Sequence, residues 1–191
     1  MATENLQEIG LIAYHTVYGI ARRDVARAEE MLNESDEGFN RRTFVRAMFA
    51  FIEADVWGRK RIALLLHERS AAKPILTIAE VAIASEEIAN LKEDGSASTT
   101  SPRLKFLPNL KFSFRAFAAA FEVQNYSLEI AEAGWSDLRN AVRIRDRLMH
   151  PKGGNSFTVS DDEIAVCTRA LGWYDAASSR LFELAAEVLT E

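Results

Sequence analysis

Residues 135–152 read WSDLRNAVRIRDRLMHPK, and this stretch decides how the rest of the chain is interpreted. Its apolar residues recur every three or four positions, which predicts an amphipathic helix over residues 135–150. Pro151 disfavours helical dihedrals at the residue before it, so the helix should end at His150. Residues 139–152 carry a local charge of +4 within a chain of net charge −5. A cationic segment on an acidic background is a candidate anion-binding site.

Arg145 has an unusual position on the wheel of this helix, because it projects to the centre of the apolar arc. A guanidinium there needs a carboxylate, an anion or a partner surface. One reading is a structural arginine held in an ion pair, and the other is a functional cation. Asp146 lies one turn before His150 on the opposite, polar side of the helix. The other basic residues of the segment are candidate phosphate contacts: Arg139, Arg143, Arg147 and Lys152.

The remainder of the chain shows helical periodicity in several long segments and no alternating strand pattern. We expect one all-α domain over residues 1–191, a bundle of about five or six helices. Residues 94–103 begin with the small, polar run DGSASTTS and should form a flexible loop inside that domain. A capping-box spacing from Ser160 to Glu163 predicts the start of a long final helix. The other helices are expected over residues 4–32, 41–69, 74–93 and 109–125, with a short continuation over 126–133.

Asp55 projects into the apolar arc of the second helix, where a carboxylate must be paired or must face a cavity. It could pair with Arg59, which lies one turn later on the same side. Alternatively, it could hold a functional cation from another helix, which makes it a candidate supporting residue for the site. The four phenylalanines of residues 109–125 are expected in the core rather than on a base-stacking surface.

Composition excludes several classes of protein. The acidic balance, with a pI of about 5.4, argues against a non-specific nucleic-acid coat protein. No apolar run is long enough to span a membrane. The single cysteine, Cys167, cannot form an internal disulfide, which fits a reducing cytoplasm. His15, His67 and His150 are far apart in sequence, so we expect no zinc site and no cofactor.

The sequence Arg145-Asp146-Arg147-Leu148-Met149-His150 resembles the signature of the HEPN superfamily, in which an arginine and a polar residue precede a histidine. Pro151 and Lys152 also resemble many members. The predicted all-α bundle, with the motif late in the chain at a helix end, agrees with that family. Many HEPN proteins are metal-independent endoribonucleases that act as toxins or antiphage effectors, and they dimerise so that two motifs face one cleft.

The resemblance implies roles for the motif residues. His150 would handle the proton of the 2′-hydroxyl or of the leaving group, Arg145 would bind the scissile phosphate, and Asp146 would orient the neighbouring side chains. The products would carry a 2′,3′-cyclic phosphate. It also implies a homodimer acting on RNA, with a cognate antitoxin or a nucleotidyltransferase as a further partner. In such a dimer, the apolar arc around Arg145 could be the subunit interface.

A second hypothesis is a non-catalytic HEPN-like helical module that binds a nucleotide or a protein partner. This hypothesis is favoured if an internal carboxylate such as Asp55 satisfies Arg145 while His150 faces solvent away from any cleft. The two hypotheses therefore differ in what surrounds the guanidinium and the imidazole.

Overall fold

The computed structural model describes residues 2–70 and 74–190, with side chains described from residue 15 onward. It is 73% helical, with six α-helices and one small two-stranded sheet in the described residues, which confirms the predicted all-α bundle. None of the described helices is both long and apolar enough to cross a membrane. The elements in chain order are α1 (Ala2–Glu34), α2 (Gly38–Arg69), α3 (Ile78–Ser85), β1 (Ile88–Leu91), β2 (Ala97–Thr100), α4 (Phe106–Ala120), α5 (Ala133–Met149), a short 3-10 helix (Gly154–Phe157) and α6 (Asp161–Thr190).

Cα packing divides the chain into two compact units, and each combines segments that are distant in sequence. The first unit contains Met1–Ala13, Val56–Ser127 and Leu184–Glu191, and the second contains Tyr14–Asp55 and Leu128–Glu183. Residues 94–103 lie wholly within the first unit, so this segment is not the boundary between the two.

The first unit contains a β-hairpin where the sequence predicts the end of a helix and a loop. β1 pairs antiparallel with β2, with Ile88 opposite Thr100. The turn between them uses Gly95 at φ +78°, and the Asp94 carboxylate accepts hydrogen bonds from the backbone N–H and the hydroxyl of Ser96. The prediction of a helix over residues 74–93 is therefore wrong before Ile78 and beyond Ser85.

A tertiary contact ends α3 at this point. Glu86 caps the helix in the left-handed conformation at φ 57°, which is uncommon for a residue with a side chain. Its carboxylate pairs with the fully buried ammonium group of Lys60 from α2. The same ammonium group also donates a hydrogen bond to Asn109 Oδ1 at 3.0 Å. Because a buried cation needs a carboxylate partner, Lys60 holds Glu86 where the helix would otherwise continue. The start of α3 is set by a capping box between Thr77 and Glu80.

The aromatic residues of α4 lie mainly in the core of the first unit, as predicted. Phe114 and Phe117 are fully buried, and the Arg59 guanidinium lies 3.9 Å from the centre of the Phe114 ring. The helix ends at Ala120, earlier than predicted, because Glu122 and Asn125 both adopt positive φ angles. The short helical continuation predicted over residues 126–133 is wrong, since α5 begins only at Ala133.

The core of the second unit surrounds a buried polar pair. Asp55 is completely buried, as its place on the α2 wheel predicts, and its Oδ2 accepts a hydrogen bond from the Tyr174 hydroxyl at 2.6 Å. The Phe51 ring packs edge-on against the Tyr174 ring at 6.0 Å. The pair therefore joins α2 to α6 within an apolar environment.

Tyr174→Phe should lower the free energy of unfolding by about 1.5–3 kcal/mol. The ring contacts with Phe51 are kept, whereas the buried Asp55 oxygen loses a donor that water cannot easily replace. Urea denaturation followed by far-UV circular dichroism measures the change. A loss below about 0.5 kcal/mol, the range typical of surface substitutions, would contradict a buried hydrogen bond of this kind.

Candidate functional site

The start of α5 is fixed against α6 by two tryptophans. Trp135 and Trp173 pack edge-to-face at 5.6 Å, and the Trp173 indole N–H donates to Glu132 Oε2 at 2.9 Å. Gly134 lies between these contacts, and a Cβ built there would overlap the Trp173 side chain. The orientation of the whole helix therefore depends on a close approach that only glycine permits.

The other end of α5 presents His150. The helix ends at Met149, and His150 follows as its C-cap, as the Pro151 signal predicts. The backbone N–H of His150 donates to the Asp146 carbonyl at 2.9 Å, while its side chain is exposed. Within the described part of the chain, the imidazole forms no hydrogen bond or ion pair, including any with Arg145. This imidazole is accessible to a substrate or a partner.

Arg145 is held by two carboxylates. Its guanidinium pairs with Glu53 from α2 and donates to Asp146 Oδ1 at 3.1 Å, and it lies 5.7 Å from the centre of the Phe49 ring. The side chain is 26% exposed, so the charged end reaches the surface between buried neighbours. Burial raises the pKa of Glu53, and the nearby guanidinium counteracts that shift.

The apolar arc of α5 packs into the second unit itself. Its buried members surround the position of Arg145, so a subunit interface is not needed to explain why an arginine occurs there. Met149 is the arc residue that is half-exposed. The buried residues are Trp135, Leu138, Ala141, Ile144 and Leu148.

The carboxylate that reaches Arg145 comes from Glu53, which sequence reasoning missed, rather than from Asp55. Two residues along a helix correspond to about 200°, so Glu53 and Asp55 point to nearly opposite sides of α2. Asp55 faces Tyr174 in the core, and Glu53 faces α5. An exposed glutamate on a helix carries no sequence signal by itself, and only the packing of α2 on α5 reveals its role.

Arg147 is engaged in a contact that closes the segment after the motif. It makes a bidentate pair with Glu163, at 2.8 and 2.9 Å, and donates to the Thr158 carbonyl at 2.7 Å. The predicted capping box at the start of α6 is confirmed, because Ser160 and Glu163 exchange hydrogen bonds. The guanidinium of Arg147 could contact a phosphate only by giving up some of these bonds.

Glu163→Gln should make stability less dependent on acid pH. Hydrogen bonds from Arg147, together with the Ser160 N–H, lower the pKa of Glu163 despite its partial burial. A depressed folded-state pKa contributes stability above the unfolded value of about 4.3, and this contribution is lost as the pH falls through the folded value. The variant should therefore be less stable by about 1 kcal/mol at pH 7 and nearly equal to wild type in strong acid.

The matched control for this measurement is Glu183→Gln on the same helix. Glu183 is exposed and lies 3.7 Å from Arg180, so its replacement should leave the pH profile of unfolding unchanged. If Glu163→Gln lowers the free energy of unfolding by the same amount from pH 7 to pH 2.5, the ion pair between Arg147 and Glu163 does not contribute pH-dependent stability as described.

The other predicted phosphate contacts are exposed. Arg139 and Lys152 make no side-chain hydrogen bond or ion pair with described residues, and Arg143 donates to the Asn140 amide oxygen at 3.2 Å. Their charges therefore have no carboxylate partner within the described part of the molecule. They remain candidate contacts for an anion.

Other reactive groups do not converge on this region. Cys167 is buried in α6. Burial, with a smaller contribution from the negative charge of Glu163, raises the pKa of its thiol to about 12. His67 uses its Nδ1 to accept the backbone N–H groups of Ile75 and Leu76, at 3.2 and 3.1 Å. In the described ranges, no three histidine, cysteine, aspartate or glutamate side chains come together as a metal site.

Comparisons with known proteins assign no family to this arrangement. The chain matches no protein-family model, no curated protein and no solved structure.

Proposed function

We propose that this protein is a metal-independent endoribonuclease of HEPN type. The observation that carries the proposal is the presence of two groups near the end of α5: an accessible imidazole on His150, with no partner among the described residues, and a guanidinium on Arg145 whose side chain is 26% exposed. RNA cleavage without a metal needs a group that transfers protons and a fixed cation that stabilises phosphate charge. The resemblance of Arg145 through His150 to the HEPN signature assigns these roles to the same two residues.

In this mechanism, the 2′-oxygen of one nucleotide attacks the adjacent phosphorus and the bond to the 5′-oxygen breaks. The 2′-hydroxyl loses a proton and the 5′-oxygen gains one, so the reaction needs a base and an acid. One chain supplies one His150, and a homodimer with facing motifs supplies both groups. Arg145 binds the non-bridging phosphate oxygens, and Asp146 and Glu53 hold the guanidinium in place.

The products would be one end with a 2′,3′-cyclic phosphate and one with a free 5′-hydroxyl. Purified protein incubated with labelled RNA in EDTA tests the proposal, with the ends identified by mass spectrometry. Chelator-resistant cleavage that leaves a cyclic phosphate supports it. Failure to cleave single-stranded and structured RNA at micromolar protein concentration, in a sample that is dimeric by light scattering, would count decisively against it.

A second candidate function is a non-catalytic module that binds a nucleotide or protein partner. The specific observation favouring it is that Glu53 and Asp146 already neutralise Arg145, while His150 lies in solvent. In that case the same cations would bind an anionic group without transferring a proton. Nucleotide or RNA binding with no cleavage, and with affinity unchanged in His150→Ala, is the outcome that favours this module over the nuclease.

As a nuclease, the protein would act in the cytoplasm as a toxin or antiphage effector, with an antitoxin or nucleotidyltransferase as partner. These roles rest on the family resemblance alone. Expression of wild type and His150→Ala in bacteria distinguishes them, since growth arrest by wild type alone supports a toxic nuclease.

A further inference from the structure

One strip of α2 runs beside the predicted site, and we call its four residues the α2 strip: Arg42, Arg46, Phe49 and Glu53. Their spacings of four, three and four residues place them within about 60° on one face of the helix. The two ends of the strip touch the motif region. Arg42 donates to the Phe157 carbonyl at 3.3 Å in the segment after His150, and Phe49 and Glu53 contact Arg145.

Arg46 lies between these two contacts. Its side chain is exposed and makes no hydrogen bond or ion pair with the residues that the structure describes. It also borders a groove between α1 and α2 with a volume of about 430 Å³, where Asp24 and Arg27 are the other charged lining residues. The exposed salt bridges that Arg27 makes with Glu30 and Glu34 leave Arg46 as the lining arginine without a carboxylate partner.

Charges near the strip are distributed unequally. Three carboxylates near the strip are paired with an arginine, namely Glu53 with Arg145, Glu163 with Arg147, and Asp161 with Arg41, whereas Asp24, which lines the groove with Arg46, forms no ion pair among the described residues. Arg42 and Arg46 have no carboxylate partner among the described residues, so the strip keeps a small positive excess in an acidic chain. Arg139 and Arg143 lie about 120° and 160° around α5 from Arg145, so they point away from this face.

We infer that Arg42 and Arg46 bind the sugar-phosphate backbone of a single-stranded RNA next to the scissile phosphate. This inference rests on the proposed function and adds the path of the substrate across α2. The two arginines are one helical turn apart, about 6 Å along α2, and Arg46 is about 10 Å from Glu53 along the same axis. A strand with its reacting phosphate at Arg145 would pass over this strip. Phosphate contacts of this kind position the strand without reading its bases.

The test measures binding of a fluorescein-labelled, mixed-sequence, single-stranded RNA of about 20 nucleotides by the full-length His150→Ala protein. Fluorescence anisotropy is recorded from low to moderate KCl. Adding Arg42→Ala and Arg46→Ala should weaken binding on the order of tenfold at low salt and reduce the salt slope by about 1.4, the value for two lost phosphate contacts on a single strand. Arg46→Ala alone should cause about half of the slope change.

Two further variants test whether the effect is specific to the strip and whether it depends on positive charge. Arg61→Ala is the matched control, because Arg61 is an exposed arginine of α2 that makes no side-chain hydrogen bond or ion pair with described residues, and it should bind within twofold of the parent. Arg42→Lys with Arg46→Lys keeps the charge and should restore most of the affinity. Arg46 contacts no partner in the part of the chain that the structure describes, so its alanine variant should melt like the parent.

Unchanged affinity and salt slope in Arg46→Ala and in the double variant would overturn the inference, even if wild type cleaves RNA. Strip-dependent binding without cleavage by wild type would support the strip as an RNA-binding surface and refute both the nuclease and the scissile phosphate beside the strip. No RNA binding by the parent would refute the strip as an RNA surface. Equal competition by polyglutamate at matched charge would also overturn the RNA assignment and indicate an acidic protein segment instead.

Discussion

His150→Ala is expected to reduce chelator-resistant RNA cleavage by about 10²- to 10⁴-fold, the usual contribution of a general acid or base. The imidazole is exposed and has no partner among the described residues, so its removal should shift the free energy of unfolding by no more than about 0.5 kcal/mol. A large loss of activity with an unchanged melting temperature therefore reports on chemistry rather than folding. His15→Ala on α1, also exposed, is the matched control and should retain full activity.

Arg145 provides an independent arm of the same experiment. Arg145→Lys keeps the charge but loses the planar set of donors that bridges Glu53, Asp146 and a phosphate, so it should still lose about 10²-fold or more. A mixed dimer of His150→Ala with Arg145→Ala subunits contains only one imidazole and one guanidinium, so mixing should not restore cleavage if base and acid come from the two His150 side chains. Equal cleavage by wild type and His150→Ala would eliminate the proposed mechanism.

Gly134→Ala should destabilise the second unit by about 1–3 kcal/mol, the usual cost of overpacking. The new methyl group would overlap Trp173, whose ring is fixed by the hydrogen bond to Glu132 and by the Trp135 contact. Relief would require α5 to move away from α6, which also moves the motif at the far end of the helix. The variant should therefore lose RNA cleavage beyond what its fraction of unfolded protein explains.

Gly172→Ala, in the residue of α6 that precedes Trp173, is expected to change stability in the opposite direction. Apart from its two chain neighbours and the nearby backbone of its own helix, no described atom lies within 4 Å of a Cβ built there, and glycine in a helix interior costs about 0.5–1 kcal/mol relative to alanine. This substitution should therefore stabilise the protein by a similar amount. Urea denaturation of both variants gives the comparison, and two shifts of the same sign would show that the approach of Gly134 to Trp173 is looser than described.

The long helices could be predicted because their signals are local. Apolar periodicity marks α1, α2, α5 and α6, and Pro151 and the Ser160–Glu163 box mark a helix end and a helix start. The burial of Asp55 also follows from the wheel of α2 alone. Such features depend on residues within a few positions of one another, so no tertiary contact is needed to infer them.

The hairpin was missed for physical reasons that are visible in the first unit. Every residue of β1 is exposed, so the strand lacks the alternation that marks a half-buried sheet. Its helical alternative is stopped by the contact between Lys60 and Glu86, which are distant in sequence. The Asp94-Gly95 pair was the available turn signal.

The candidate site was only partly predictable. The motif residues lie in one helix and can be placed from periodicity, whereas Glu53, Arg42 and Arg46 reach the region through the packing of α2 on α5. The engagement of Arg147 with Glu163 likewise depends on the fold of the segment between α5 and α6.

The buried thiol of Cys167 can report on the opening of α6 through its rate of chemical labelling. The chain has one cysteine, fully buried in the same helix as Trp173 and Tyr174, and burial keeps it protonated at neutral pH. A thiol-specific dye can react with it only when α6 opens, since the thiolate is the reactive form. The labelling rate under native conditions therefore measures that opening without an introduced probe.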